Sequence, residues 1–441
     1  MGNDEISILQ KKETKIYSDS NGQTIFSLGM MQKAMLNYEL QRPGSMNFGF
    51  AIRIQGKISI DLISHSFQRM INDNDALRIV LFKGHDKEYK LSIIENYKLN
   101  LEVIDCIGNT DDEKLKFAKY EIKKRYDSPM DLCKDILFRP CIYKIKDNDY
   151  ILVINYNHIV TDAVSMILTL NRQANYLFNP SYKHSDEIGS YMEYIKNEEE
   201  ALKSEEGKEK KDYWKNIMKD FQDYNMPVVR NKINKTSNDF GNIVIKKDIF
   251  KDYTIENKTS KFNVILLSYH ITLMKIFDRM DTAVSYVVSN RNNKRYKNTL
   301  GVFALFCNSR KKVSKSDSII SLLDSLRKSM RDDNKNLEMS LTQKVQPFTI
   351  SYQPSYSKIP EINGFKLEQI MTTAETTHNC SMFFLNVNEV KDKDNLIFTL
   401  ACDVNLFGED LITNFLNIIE KVIYIVLKDK NLTIGQALEM I

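Results

Sequence analysis

The stretch Tyr150-Ile-Leu-Val-Ile-Asn-Tyr-Asn-His-Ile-Val-Thr-Asp162 joins an apolar segment to a short polar one. Its aliphatic and aromatic residues predict a buried strand that ends at Asn157. A helix with strong apolar periodicity is predicted to follow over residues 161–177. His158 is therefore expected at the end of the strand, at an edge of the fold and not in its core. Because the pKa of histidine lies close to neutrality, His158 is a candidate to accept and return a proton.

His158 and Asp162 also have ordinary structural interpretations. A single histidine is more often structural than catalytic, and an Asp that begins a helix most often caps free backbone N–H groups. The spacing His-x-x-x-Asp is therefore a weak signal by itself, and its surroundings must decide between the two interpretations.

Helices and strands are predicted to alternate on both sides of this stretch. In the first half, helices are expected at 25–39, 61–73 and 114–125, and strands at 48–54, 77–82 and 137–145. In the second half, helices are expected at 264–279, 319–334 and 409–427, and strands at 282–288 and 396–404. The charged helical segment 193–223 has few residues suited to a core and marks the junction. The pattern predicts an α/β fold with an N-terminal lobe 1–190, a linker 191–223, a C-terminal lobe 224–441, and a ligand cleft between the lobes.

Composition narrows the class of protein. The 441 residues suit two domains of about 200 residues each, and a net charge of +4 is too small to indicate nucleic-acid binding. No apolar run reaches the roughly 18–20 residues that cross a bilayer, and the charged start lacks a secretory signal. We therefore expect a cytoplasmic protein without a membrane segment. The six cysteines include no Cys-x-x-Cys pair, so we expect neither a metal site nor a disulfide framework.

Further segments accompany the His158 stretch in a definite order, at 27–35, 74–82, 130–139, 191–194, 213–214, 289–291, 301–310 and 405–407. Together with Asn-His-Ile-Val-Thr-Asp-Ala at 157–163, they resemble the motifs of nonribosomal peptide synthetase condensation domains. In that family, which belongs to the chloramphenicol acetyltransferase-like superfamily, the central motif is His-His-x-x-x-Asp-Gly. Each match is weak alone, but the ordered set covers roughly residues 25–430.

The resemblance implies two acetyltransferase-like lobes in a V-shaped pseudo-dimer with an active-site tunnel between them. His158 corresponds to the second His of the motif, which orients the attacking group and can take its proton. Asp162 corresponds to the Asp of the motif, which pairs with an arginine and holds the loop in shape. Arg291 is the first candidate for that arginine, and Arg78 is the second.

A few positions depart from the family pattern. Asn157 replaces the first His of the motif, where an amide can still form local hydrogen bonds. Ala163 replaces the closing Gly and adds a methyl group where the tunnel is expected. Leu305 stands where the family has Asn, which suggests a reshaped tunnel wall. By the same resemblance, His378 and Ser381 are candidates to line the tunnel.

The resemblance implies a free-standing condensation enzyme that forms an amide or ester bond in nonribosomal peptide or related natural-product biosynthesis. An amine or hydroxyl acceptor, free or carrier-bound, would attack an acyl or aminoacyl thioester on the phosphopantetheine arm of a carrier protein. We expect no bound cofactor, a monomeric chain, and acyl or peptidyl carrier proteins as partners. Two alternatives stay open: an acyl-coenzyme A-dependent acyltransferase of the same superfamily, and a catalytically degenerate domain that recruits partners.

Overall fold

The computed structural model describes residues 8–9, 16–18, 24–84, 86–134, 136–179, 181–183, 185, 188–226, 237–353, 362–372, 383–389 and 394–441. These residues fold into two compact units. Unit 1 comprises the described residues of 1–201, 289–304 and 357–376, and unit 2 comprises those of 202–288, 305–356 and 377–441. Two segments from the second half of the sequence therefore belong to unit 1.

The described residues form the following strands and helices. The strands are β1 Ile8–Leu9, β2 Ile16–Ser18, β3 Thr24–Ser27, β4 Asn47–Gln55, β5 Ile79–Lys83, β6 Tyr89–Ile93, β7 Glu102–Asp105, β8 Phe138–Lys146, β9 Asp149–Asn157, β10 Ile243–Lys246, β11 Asp281–Val288, β12 Leu305–Lys312, β13 Phe348–Gln353, β14 Lys366–Thr372, β15 Phe383–Glu389 and β16 Asn395–Ala401. The helices are α1 Met30–Gln41, α2 Ile60–Asn72, α3 Asp111–Asp127, α4 Ala163–Phe178, α5 Tyr191–Lys203, α6 Glu205–Ile217, α7 Lys251–Glu256, α8 Lys261–Phe277, α9 Ile319–Lys335, α10 Val404–Phe407, α11 Glu409–Lys428 and α12 Ile434–Glu439.

The strand that leads to His158 is β9, at the centre of a sheet in unit 1. The order of strands in this sheet is β14-β4-β9-β8-β7, and β9 is antiparallel to both β4 and β8. All residues of β9 are buried, because both faces of the sheet are covered. On one face Val153 belongs to the same core as Ala118 of α3. On the other face Tyr156 contacts Phe138, which contacts Phe67 of α2, and this burial explains the unbroken apolar run.

The first helix begins later than the periodicity predicted. Ile25 and Phe26 belong to β3, which pairs with β2 and β6 in the second sheet of unit 1, of order β1-β2-β3-β6-β5. Helix α1 begins only at Met30, so the predicted helix at 25–39 was wrong in its first turn. Pairing with distant strands overrode the local helical spacing, as tertiary context often does.

Unit 2 is built on a sheet of order β10-β16-β15-β13-β11-β12, in which β13 is parallel to β11 and β15. Helix α8 is buried along most of its length, which explains its apolar sequence. Its Tyr269 packs on Phe415 of α11, with 4.8 Å between ring centroids. Its His270 lies between the hydroxyl groups of Thr282, at 2.9 Å, and Ser309, at 3.0 Å, and is therefore a structural residue.

The α/β class and the two-lobe build predicted from the sequence are confirmed. The tunnel, the V shape and the limits 1–190, 191–223 and 224–441 stay predictions. No helix among the described residues combines the length and the apolar character that crossing a membrane requires.

Candidate functional site

The His158 turn, defined as residues 157–162, joins β9 to α4 and is fixed at its start by Asn157. The side chain of Asn157 is fully buried, and its Oδ1 accepts the N–H of Ile159 at 3.1 Å. Its Nδ2 donates to Oδ1 of Asn47 at 3.3 Å, and Asn47 lies opposite it in the β4–β9 register. The amide thus caps the short 3-10 turn of residues 158–160 and ties it to the neighbouring strand.

The side chain of His158 is half-buried. Its Nδ1 is buried and has no hydrogen-bond partner among the described residues, and its ring lies 4.6 Å from that of Phe48. Burial lowers the pKa of His158 below its ordinary value, while nearby backbone groups and the charge of Asp162 act in the opposite direction. The imidazole is therefore neutral near pH 7, and a neutral imidazole can accept a hydrogen bond or a proton.

Asp162 ends the turn as the N-cap of α4. Its Oδ1 accepts the N–H of Ser165 at 2.7 Å, and its Oδ2 accepts the N–H groups of Phe303 at 3.0 Å and Ala304 at 3.3 Å. Between the described residues Asp162 and His158 there is no hydrogen bond. The carboxylate therefore holds two loops together and is not placed to pass protons to the imidazole.

Arg291 is the ion-pair partner of Asp162. Its Nη2 lies 3.1 Å from Oδ1 and 3.3 Å from Oδ2 of Asp162, and it also donates to Oγ of Ser165 at 2.8 Å. Its Nη1 donates to the carbonyls of Tyr296 at 3.1 Å and Thr299 at 2.7 Å, and the guanidinium lies over the ring of Phe303 at 4.2 Å. This network joins segment 289–304 to the His158 turn.

Arg78, the second candidate for that role, lies elsewhere in unit 1. Its Nη1 donates to the carbonyls of Ile94 at 3.4 Å and Glu95 at 3.1 Å. The structure thus brings together Asp162 and Arg291, and it does not bring Arg78 to Asp162.

Two of the four predicted tunnel residues, Ala163 and Leu305, lie in the described part of the chain. Ala163 is the first residue of α4 and is half-buried, whereas Leu305 begins β12 in unit 2 and is 1% exposed. His378 and Ser381 lie outside the described residues. The roles of all four as tunnel residues stay predictions.

Ser165 and Gln32 also hold the turn, and sequence reasoning missed both. Ser165 donates through Oγ to the carbonyl of Gly301 at 2.7 Å and accepts the N–H of Gly301 at 3.1 Å. Gln32 donates through Nε2 to the carbonyl of Ile159 at 2.9 Å. The position of Ser165, three residues after a helix cap, was a usable signal, since the N–H of that position is the one a cap receives. Gln32 lies in the segment 27–35 that resembles a family motif, but the resemblance assigned it no role.

The site therefore offers one neutral imidazole on a rigid turn. Among the described residues there is no group of three or more His, Cys, Asp or Glu side chains that could hold a metal ion. An imidazole in this setting can orient a nucleophile by accepting its hydrogen bond, or can take its proton.

Comparison with known proteins identifies the family to which the chain belongs. The profile described as "Condensation domain" matches residues 22–438. One of the plipastatin synthase proteins of Bacillus subtilis (strain 168) is 25% identical over 292 residues, which are 63% of this chain and 11% of that protein. Bacitracin synthase 1 of Bacillus licheniformis is 22% identical over 433 residues, which are 93% of this chain and 8% of that protein. The chain spans about a tenth of the length of these curated relatives.

A solved structure agrees in fold. The condensation domain from monacolin K polyketide synthase superimposes with a TM-score of 0.75 at 12% identity, covering 93% of this chain and 99% of that one. At such low identity this likeness concerns the fold alone. Because the family profile covers nearly the whole sequence, the chain belongs to the condensation domain family.

Proposed function

We propose that the chain condenses an acyl or aminoacyl thioester with an amine or hydroxyl acceptor to form an amide or ester. The acceptor nitrogen or oxygen forms a bond to the acyl carbon, the carbon–sulfur bond breaks, and the acceptor proton ends on the released thiol. The thioester is carried on the phosphopantetheine of a carrier protein, and the acceptor is carrier-bound or free. Membership of the condensation domain family and the similarity to plipastatin and bacitracin synthases support this reaction class.

The observation that carries the proposal is the placement of His158. Its imidazole is partly exposed and neutral, and its turn is fixed at both ends by Asn157 and Asp162. Among the described residues no carboxylate hydrogen-bonds to Nδ1, and the nearby charge of Asp162 does not outweigh the effect of burial on the pKa of His158. We therefore propose that His158 acts mainly by orienting the acceptor, a contribution that can reach several kcal/mol.

The experiment supplies the purified chain with acyl thioesters on carrier proteins or on coenzyme A, together with amine and hydroxyl acceptors, and detects products by mass spectrometry. His158→Ala is expected to lower turnover by about 10²–10⁴-fold, because the acceptor loses its orienting and proton-accepting group. His65→Ala is the matched control, since His65 is exposed on α2 of the same unit, and it is expected to retain the wild-type rate.

Equal turnover by His158→Ala and the wild type would contradict the role of the imidazole. Product from coenzyme A thioesters alone would favour the acyl-coenzyme A-dependent alternative. Binding of a carrier protein with no product from any donor and acceptor would favour the recruiting-domain alternative.

A further inference from the structure

We infer that helix α1 positions His158, with Gln32 and Glu39 as the positioning residues. This inference rests on the proposed function, because it assigns both residues to the reaction of His158. Gln32 lies near the start of α1 and Glu39 near its end, and both side chains are buried, at 1% and 3% exposure. Each is linked to the backbone beside His158, on opposite sides of that residue.

Gln32 holds the residue that follows His158. Its Nε2 donates to the carbonyl of Ile159 at 2.9 Å, and its Oε1 accepts the N–H of Gly29 at 3.0 Å. Both polar ends of the amide are therefore used, and the amide cannot turn away without leaving a buried group unpaired. Leaving a buried polar group unpaired is unfavourable, so the Gln32 amide holds the carbonyl of Ile159 in place.

Glu39 holds the backbone that receives the N–H of His158. Its Oε1 accepts the N–H of Gly44 at 2.7 Å and its Oε2 accepts the N–H of Met46 at 2.9 Å. The carbonyl of Met46 then accepts the N–H of His158 at 2.6 Å. Hydrogen bonds to a carboxylate are stronger than those between neutral groups. The Glu39 carboxylate therefore fixes the backbone at Met46, just before β4, and with it the carbonyl that receives the N–H of His158.

Helix α1 is itself anchored at its start by α5. The N–H of Met30 donates to Oε2 of Glu198 at 2.8 Å. A Cβ at Gly29 would lie 2.7 Å from Cδ1 of Ile195 and 2.9 Å from that same oxygen. The glycine therefore permits α1 and α5 to approach closely, and the carboxylate of Glu198 supplies the cap that Gly29 has no side chain to provide.

The two links fix the backbone on both sides of the Cα of His158, and so they fix where its ring points. A displacement of a reacting group by about 1 Å can cost about 10²-fold in rate. A contact that served only folding would change the stability of the protein but would leave His158 of the folded molecules as it is. This difference separates a positioning role from a purely structural one.

The test compares Gln32→Met and Glu39→Gln with the control Gln68→Met. Gln68 bridges two backbone groups in the same manner, the carbonyl of Tyr97 at 2.8 Å and the N–H of Leu99 at 2.7 Å, but it has no hydrogen bond to the His158 turn. For each variant, kcat and KM are measured with the substrates of the condensation assay. The titration of the His158 imidazole is followed by NMR and assigned with His158→Ala.

Gln32→Met is expected to lower kcat by about ten- to hundredfold while KM stays within about twofold, because binding groups are untouched and the imidazole is displaced. Its His158 should titrate closer to the ordinary value, since a loosened turn admits water to the ring. Glu39→Gln should also lower kcat and move the His158 titration towards the ordinary value, but by less than Gln32→Met does. The effect is smaller because one amide oxygen remains where the carboxylate had two oxygens. Gln68→Met should change neither kcat nor the His158 titration.

The inference is overturned if folded Gln32→Met and Glu39→Gln match Gln68→Met in kcat and in the His158 titration. If Gln32→Met does not fold, the comparison of Glu39→Gln with the control decides in the same way. If the wild type forms no product, the proposed function fails by itself and the titration alone decides the positioning role. A shifted His158 titration then supports that role, and an unchanged one overturns it.

Discussion

Replacing Arg291 by Met removes the charged partner of Asp162 and keeps most of the length of the side chain. The Arg291 and Asp162 side chains are 5% and 2% exposed, so a carboxylate left alone would be buried. Loss of one member of a buried ion pair costs about 3–5 kcal/mol. Asp162 would retain the backbone N–H groups of Ser165, Phe303 and Ala304, which lessen the penalty. We therefore expect a loss of about 3 kcal/mol in the free energy of unfolding.

Urea unfolding followed by circular dichroism measures this loss, and the fluorescence of Trp214, which lies in unit 2, shows whether the units unfold together. Arg295→Met is the control, because Arg295 pairs with Glu193 at 2.7 Å in the same unit, but the two side chains are 52% and 35% exposed. Its loss should therefore lower the free energy of unfolding far less than the loss of Arg291 does. In the double variant Asp162→Asn with Arg291→Met, neither charge remains. The loss of unfolding free energy in the double variant should be smaller, by at least about 1 kcal/mol, than the sum of the losses in Asp162→Asn and Arg291→Met measured separately.

A loss below about 1 kcal/mol for Arg291→Met, with no coupling in the double variant, would refute this reasoning. In that case the contacts around Asp162 would be those of an ordinary helix cap, and the arginine would add little to the stability of the turn.

Three further predictions concern protonation and local hydrogen bonding. Burial lowers the pKa of His158 below 6.5, so kcat should fall at low pH, as the imidazole is protonated, with a midpoint under 6.5. A pH–rate profile measures this midpoint, and a value above 6.5 would contradict the prediction. Burial raises the pKa of Asp333 from 3.8 to about 6, so the contribution of Asp333 to the unfolding free energy should fall by about 3 kcal/mol as pH rises through this range. Asp333→Asn should remove that fall in urea titrations at several pH values; a variant with the same pH dependence as the wild type would disprove the assignment. Asn157→Ala leaves the N–H of Ile159 buried without its acceptor, so it should cost about 1–3 kcal/mol in urea unfolding, and a neutral result would contradict the capping role.

The sequence was most informative where the fold depends on local signals. β9 could be predicted because burial on both faces produces an unbroken apolar run, and the start of α4 because Asp162 caps it. Arg291 lies far from Asp162 in the sequence, and no periodicity relates the two. Only the resemblance to a family suggested their pairing.

The remaining features depend on contacts between distant segments. Ile25 has the spacing of a helix but belongs to β3, because two partner strands are available to pair with it. Gln32 and Glu39 look like ordinary polar residues of a surface helix, although both are buried. Gln32 donates to the His158 turn, and Glu39 accepts the N–H of Met46, whose carbonyl accepts the N–H of His158. The inclusion of segments 289–304 and 357–376 in unit 1 is likewise set by tertiary packing, which no local pattern records.

The most direct test of the central claim is the single-turnover rate of amide or ester formation at saturating acyl thioester, compared between the wild type and folded His158→Ala. We predict that the wild type forms product and that the variant is slower by at least about a hundredfold, with an unchanged free energy of unfolding. Equal rates in the two proteins would contradict the claim.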